Sequence, residues 1–77
     1  MPVTATVWVV VNKRTGQYLG ASSGWWGWYD HDSGSVRRYE SEDEAQSVRD
    51  LLPMRMQKHA AEKPRALYIE RFAASHD

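Results

Sequence analysis

Thr4 to Asn12 reads TATVWVVVN, and this segment most restricts what the chain can fold into. β-Branched and aromatic residues fill it, which suits a strand. Strand alternation places Ala5, Val7, Val9 and Val11 on one side and Thr6, Trp8 and Val10 on the other. Both sides are largely apolar, so the strand belongs at the centre of its sheet. A chain of 77 residues has material for one domain and one thin core. A sheet under a single helical layer meets both conditions.

The rest of the chain supplies the other strands and the helical layer. Asn12 to Gly16 reads as a hairpin loop, with Gly16 free to take positive φ. Gln17 to Ser22 is the returning strand, and Ser22-Ser23-Gly24 reads as a flexible break. Trp25 to Asp30 is a third, aromatic strand, His31 to Ser35 a turn, and Val36 to Glu40 a short fourth strand. In that fourth strand Val36 and Arg38 share one face, Arg37 and Tyr39 the other.

Ser41 fits a helix N-cap, and Glu44 three residues on completes a capping box. Glu42, Asp43 and Glu44 suit the positive end of the helix dipole. Ala45, Val48 and Leu52 follow at helical spacing until Pro53. Proline either ends this helix or kinks it and sits in the first turn of a second one. Met54 to Lys63 has helical propensity, Pro64 closes it, and Ala66 to Phe72 is a last strand.

The expected fold is therefore α+β, in the order β-β-β-β-α-β. An antiparallel four- to five-stranded sheet, in spatial order 5-1-2-3-4, carries one kinked or broken helix on one face. Residues 1–72 form a single domain and 73–77 a polar C-terminal tail.

Ten basic residues balance ten acidic ones. Non-specific nucleic-acid binders are clearly basic as a rule, and nucleic-acid mimics strongly acidic, so neither bulk signal is present. Cysteine is absent, which removes disulfides, thiolate metal sites and cysteine catalysis. The longest apolar run, Val7 to Val11, falls far short of a membrane span. The opening Met1 to Thr4 shows no basic region leading into an apolar run. The expectation is a cytoplasmic protein with no membrane contact.

Catalytic patterns are missing. Neither a nucleophile elbow nor a phosphate-binding glycine loop occurs, since Gly20, Gly24 and Gly27 fit no such spacing. His31, His59 and His76 show no metal-ligand spacing, and Asp30-His31-Asp32 reads as a turn rather than a small metal or acid–base site. The acidic run at Glu42 to Glu44 is accounted for by capping. The chain is expected to be no enzyme and to need no metal or cofactor.

What remains is the run Trp25, Trp26, Gly27, Trp28, Tyr29. In a strand, Trp26 and Trp28 share one face and Trp25 and Tyr29 the other. One pair can complete the core, and the other then stands open as a contact surface, because Trp and Tyr are enriched at binding hot spots. The bland alternative is that a small core uses its aromatics simply to bury area. Arg37 and Arg38, on the expected edge strand, would orient a partner or donate hydrogen bonds to it.

Further cations occur at Lys13 and Arg14, and at Arg55, Lys58, Lys63 and Arg65; mixed with acids, they read first as a solvated surface. Met54 and Met56, at alternate helix positions, cannot both point inward. The sequence-level expectation is thus partner binding through Trp25, Trp26, Trp28, Tyr29, Arg37 and Arg38.

Two further patterns are the hairpin Val11 to Leu19 (VNKRTGQYL) and the helix entry Tyr39 to Ala45 (YESEDEA). In these, and in outline, the chain resembles small proteins encoded by bacteriophages and mobile elements. Anti-CRISPR proteins and phage inhibitors of host RNA polymerase are two such groups. The resemblance implies a stoichiometric inhibitor, monomer or homodimer, that docks on a bacterial protein or ribonucleoprotein complex in the host cytoplasm. Direct binding of nucleic acid is the second choice, and neutral charge departs from the acidic nucleic-acid mimics.

Overall fold

Strand β1, Pro2–Val9, pairs antiparallel with the last strand, β4 (Arg65–Phe72), in a register running from Pro2 opposite Phe72 to Val9 opposite Arg65. This is the expected return of the last strand beside the first. Between them come β2 (Tyr18–Ser22), β3 (Trp25–Tyr29), α1 (Glu42–Asp50) and α2 (Met54–Gln57). The computed structural model describes residues 2–72, so the tail 73–77 lies outside the described residues.

The fold is α+β, but the expected four- to five-stranded sheet is replaced by two antiparallel sheets of two strands each, β1–β4 and β2–β3. Isolated bridges tie them together. Val11 lies opposite Tyr18, and the Leu19 N–H donates to the Val10 carbonyl at 2.8 Å. On the opposite edge Asn12 lies opposite Ala60, and the Ala61 N–H donates to the Val11 carbonyl at 2.7 Å. Residues 8 to 12 are thus bonded along both edges, which is the central role their two apolar faces demand.

The expected fourth strand, Val36 to Glu40, does not form, and it is no outer edge. Val36 bridges Gly20, and Tyr39 exchanges backbone hydrogen bonds with Trp8 at 2.8 Å in both directions. The segment enters the fork where β1 and β2 part, so the free edge beyond β2 belongs to β3. Gly20 makes this possible: a Cβ there would overlap the Ser35 carbonyl oxygen, which accepts from the Ala21 N–H at 3.0 Å. The break at Ser22 to Gly24 is also tighter than its composition suggests. Ser23 (φ 52°) and Gly24 (φ 82°) both take positive φ, as a two-residue type I′ hairpin turn requires.

Helix α1 starts as the capping box directs, with one variation. Ser41 Oγ accepts from the Glu44 N–H at 3.1 Å, while Glu44 Oε1 accepts from the Glu40 N–H at 3.3 Å, one residue earlier than usual. Pro53 separates two helices rather than kinking one, and only Met54–Gln57 of the expected second segment is helical. Proline brings no N–H to the end of α1. The Gln57 side chain takes that place, its Nε2 donating to the Asp50 carbonyl at 2.9 Å and the Arg49 carbonyl at 3.3 Å.

Two clusters form the core, one on each side of residues 9 to 11. Val10 and Leu19 pack with Ala45, Leu52, Met56 and Ala60 on the helix side, where Trp8, Trp28, Tyr39 and Val48 lean on them. Val9, Val11, Tyr18 and Val36 pack on the other side, closed by Tyr29, Ala61 and Leu67. Of the methionine pair, Met56 is buried and Met54 exposed.

The loop after β1 is fixed by one buried side chain. Asn12 Oδ1 accepts from the Arg14 N–H at 2.8 Å and the Thr15 N–H at 3.2 Å. The Gly16 N–H (φ 77°) donates to the Asn12 carbonyl at 2.8 Å. Asn12→Ala is expected to cost about 1–2 kcal/mol, because it leaves two N–H groups in a tight loop without their acceptor. Urea unfolding followed by tryptophan fluorescence measures it.

Candidate docking surface

β3 carries WWGWY beside a strand with glycine at its centre, and the pairing sets which aromatics are covered. Leu19 stands opposite Trp28, Ala21 opposite Trp26, and Ser22 opposite Trp25. Trp28 therefore follows Leu19 to the helix side and packs against that core. Its Nε1 is enclosed and meets no acceptor among the described residues. Trp26 shares that face but lies beyond the cover and remains 37% exposed.

On the opposite face, Tyr29 folds back along the hairpin. A Cβ on Gly27 would sit 3.1 Å from the Tyr29 ring and hydroxyl, and one on Gly20 would sit 2.6 Å from Cδ2. The ring thus occupies the strip that two facing glycines leave bare, and it joins the cluster around Tyr18. Trp25, the first residue after the turn, is 71% exposed. The expected division of faces holds, but each pair splits into one covered and one open member.

The arginines divide in the same way. Val36 is buried with Tyr18, while Tyr39 packs on the helix side, so alternation sends Arg37 to the helix side and Arg38 to the other. Both are exposed. The Arg37 N–H donates to the Leu19 carbonyl at 3.0 Å, which fixes its backbone against β2. Arg38 turns toward the preceding loop, its Nη2 donating to the His31 carbonyl at 3.2 Å. Trp26 and Arg37 thus fall on the helix side and Trp25 and Arg38 on the other, with the arginines on the inner edge of β2 and the tryptophans on β3.

Electrostatics are perturbed at one tyrosine here. Burial pushes the Tyr39 hydroxyl above its usual value of 10, Arg37 pulls it back, and Glu44 pushes it further up. A folded-state pKa above the unfolded one gives stability that is fully present below pH 10 and lost as pH rises through the folded value. The native state should therefore weaken above pH 10, and Tyr39→Phe should flatten that decline. Urea midpoints taken from pH 8 to pH 11 on both proteins check the slope.

Other sequence-level candidates take structural places. Asp30 to Ser33 forms a turn, with the Ser33 N–H donating to the Asp30 carbonyl at 3.0 Å, and Asp30 Oδ1 accepts from Gln17 Nε2 at 3.3 Å. No group of three His, Asp or Glu side chains able to hold a metal ion occurs among the described residues. His76 lies outside them. No helix among them is long and apolar enough to cross a membrane. Leu51, at the junction of the two helices, is 84% exposed, while Leu52, which follows Ala45 and Val48 at helical spacing, is buried. Compared with known proteins, the chain matches no family model, no curated protein and no solved structure.

Proposed function

We propose that this chain is a non-enzymatic binding protein, of the phage-encoded inhibitor type that includes anti-CRISPR proteins. It docks on a bacterial protein or ribonucleoprotein complex in the host cytoplasm and blocks it. The observation that carries this reading is Trp25, a 71% exposed indole fixed beside a two-residue turn. A large aromatic held out on a stiff hairpin loses little conformational freedom when a partner covers it. Trp26 extends the contact along β3, and the exposed Arg37 and Arg38 add cations on the inner edge of β2.

A second reading is direct binding of single-stranded nucleic acid, favoured by the exposed Trp25 indole. In it a base stacks on the indole and the exposed arginines hold phosphates.

The test is affinity capture of the tagged protein from bacterial lysate, with nuclease-treated samples and a Trp25→Ala/Trp26→Ala variant alongside. One complex retained by the native protein, nuclease-resistant and lost with the variant, is the expected result. Equal capture by a folded variant overturns the aromatic anchor, and capture lost on nuclease treatment moves the reading to nucleic acid.

A further inference from the structure

The loop 12–16 and the segment 61–65 meet at one end of the core, because β1 and β4 are paired and Ala60 bridges Asn12. Between them lies an open cleft of about 500 Å³, in which Lys13, Lys63 and Arg65 stand around apolar residues Val11, Ala61 and Pro64. We propose that this cleft binds a phosphate-bearing ligand that carries more than one negative charge.

Three features carry the proposal. The first is uncompensated charge. No acidic residue lines the cleft, and the one ion pair among the described residues is Arg49 with Asp50. None of the three cations therefore has a carboxylate within ion-pair distance among those residues. The second is that the fold holds their backbones in place. The Lys13 N–H donates to the His59 carbonyl at 2.8 Å, Arg65 is in register with Val9, and Lys63 precedes the buried Pro64. Their backbones are therefore placed around the cleft before any ligand arrives. The third is chemical fit. A carboxylate carries one charge on two oxygens, whereas a terminal phosphate or pyrophosphate, or successive phosphodiesters of a strand, bring several charges and acceptor oxygens, enough for an arginine fork and two ammonium groups together.

The positive field continues past the cleft. Asn12 also lines a second, smaller hollow with Arg14, Thr15 and His59. The segments 12–16 and 61–65 of the formally neutral chain carry Lys13, Arg14, Lys63 and Arg65 against one acid, Glu62, and this net positive charge raises the local anion concentration and the on-rate. None of the docking residues proposed above lines the cleft, so this site stands independently of that reading.

The shared chemistry is phosphate, and its source is either a small phosphorylated molecule or a nucleic-acid strand. Pyrophosphate and a short single-stranded oligonucleotide are titrated separately into isotope-labelled protein at low ionic strength, with backbone amide shifts as the readout. Saturable shifts centred on Lys13, Lys63 and Arg65 are expected. Lys13→Gln/Lys63→Gln should weaken them at least tenfold, while Arg55→Gln leaves them unchanged. Tighter oligonucleotide binding at the same amides assigns the phosphate to a strand, and pyrophosphate binding alone assigns it to a small molecule. Absence of saturable shifts with both probes, or shifts indifferent to the double variant while its spectrum remains folded, overturns the site.

Discussion

Gly20→Ala is expected to destabilise the fold by about 3 kcal/mol or more, at the top of the range for overpacking a tight interior. Its Cβ would overlap the Ser35 carbonyl oxygen and sit 2.6 Å from Tyr29 Cδ2. Ser35 is backbone, tied to β2 through the Ala21 N–H, so it cannot turn aside as a side chain does. Accommodating the methyl group means opening the fork where residues 35 to 39 enter, and with it the Gly20–Val36 bridge. For a domain of this size each kcal/mol lowers Tm by about 4–8 °C, so the melting point should fall by more than about 12 °C.

Gly27→Ala is the internal comparison. Its Cβ would meet only the far end of the Tyr29 ring, at 3.1–3.2 Å, so a small ring shift suffices and the cost should stay under about 1 kcal/mol. Tyr29→Ala should remove the cost of Gly27→Ala but leave most of that of Gly20→Ala. Equal rescue of both would show that the ring, and not the Ser35 backbone, sets the limit at Gly20.

That same glycine explains where sequence reading of the fold stops. The two-sided apolar pattern from Thr4 to Asn12 indicates a central strand, and residues 8 to 12 are bonded on both edges. Ser41 with Glu44 marks the start of α1, and Pro53 marks its end, because capping and a missing donor act within a few residues. The place of residues 36 to 39 was not legible in the same way. VRRYE alternates as an outer strand would, and nothing local reveals that a glycine sixteen residues earlier has left room for it on the inner edge of β2. Cross-strand register likewise decides that Trp28 is covered and Trp26 half open, since both obey the same alternation. The convergence of Lys13 with Lys63 and Arg65 depends on the β1–β4 pairing, so those cations read in the sequence only as a solvated surface.

Trp25→Ala and Trp28→Ala should separate binding from folding. Trp25 is 71% exposed and belongs to neither core cluster, so its removal should change stability by no more than about 0.5 kcal/mol. If it anchors a partner, the same change should cost about 2–4 kcal/mol of binding energy, a 30- to 1,000-fold loss of affinity. Trp28 should behave in the opposite sense. It packs against Val10, Leu19 and the helices, and truncation there should cost about 3 kcal/mol of stability. Replacing it with Phe should cost much less, because the enclosed indole N–H already lacks an acceptor and its loss removes a desolvated donor. Chemical unfolding and affinity for the captured target, measured on the same three proteins, decide the matter. A Trp28→Ala protein that keeps its stability would contradict the packing described here, and a Trp25→Ala protein that keeps its affinity would move the docking surface away from the hairpin.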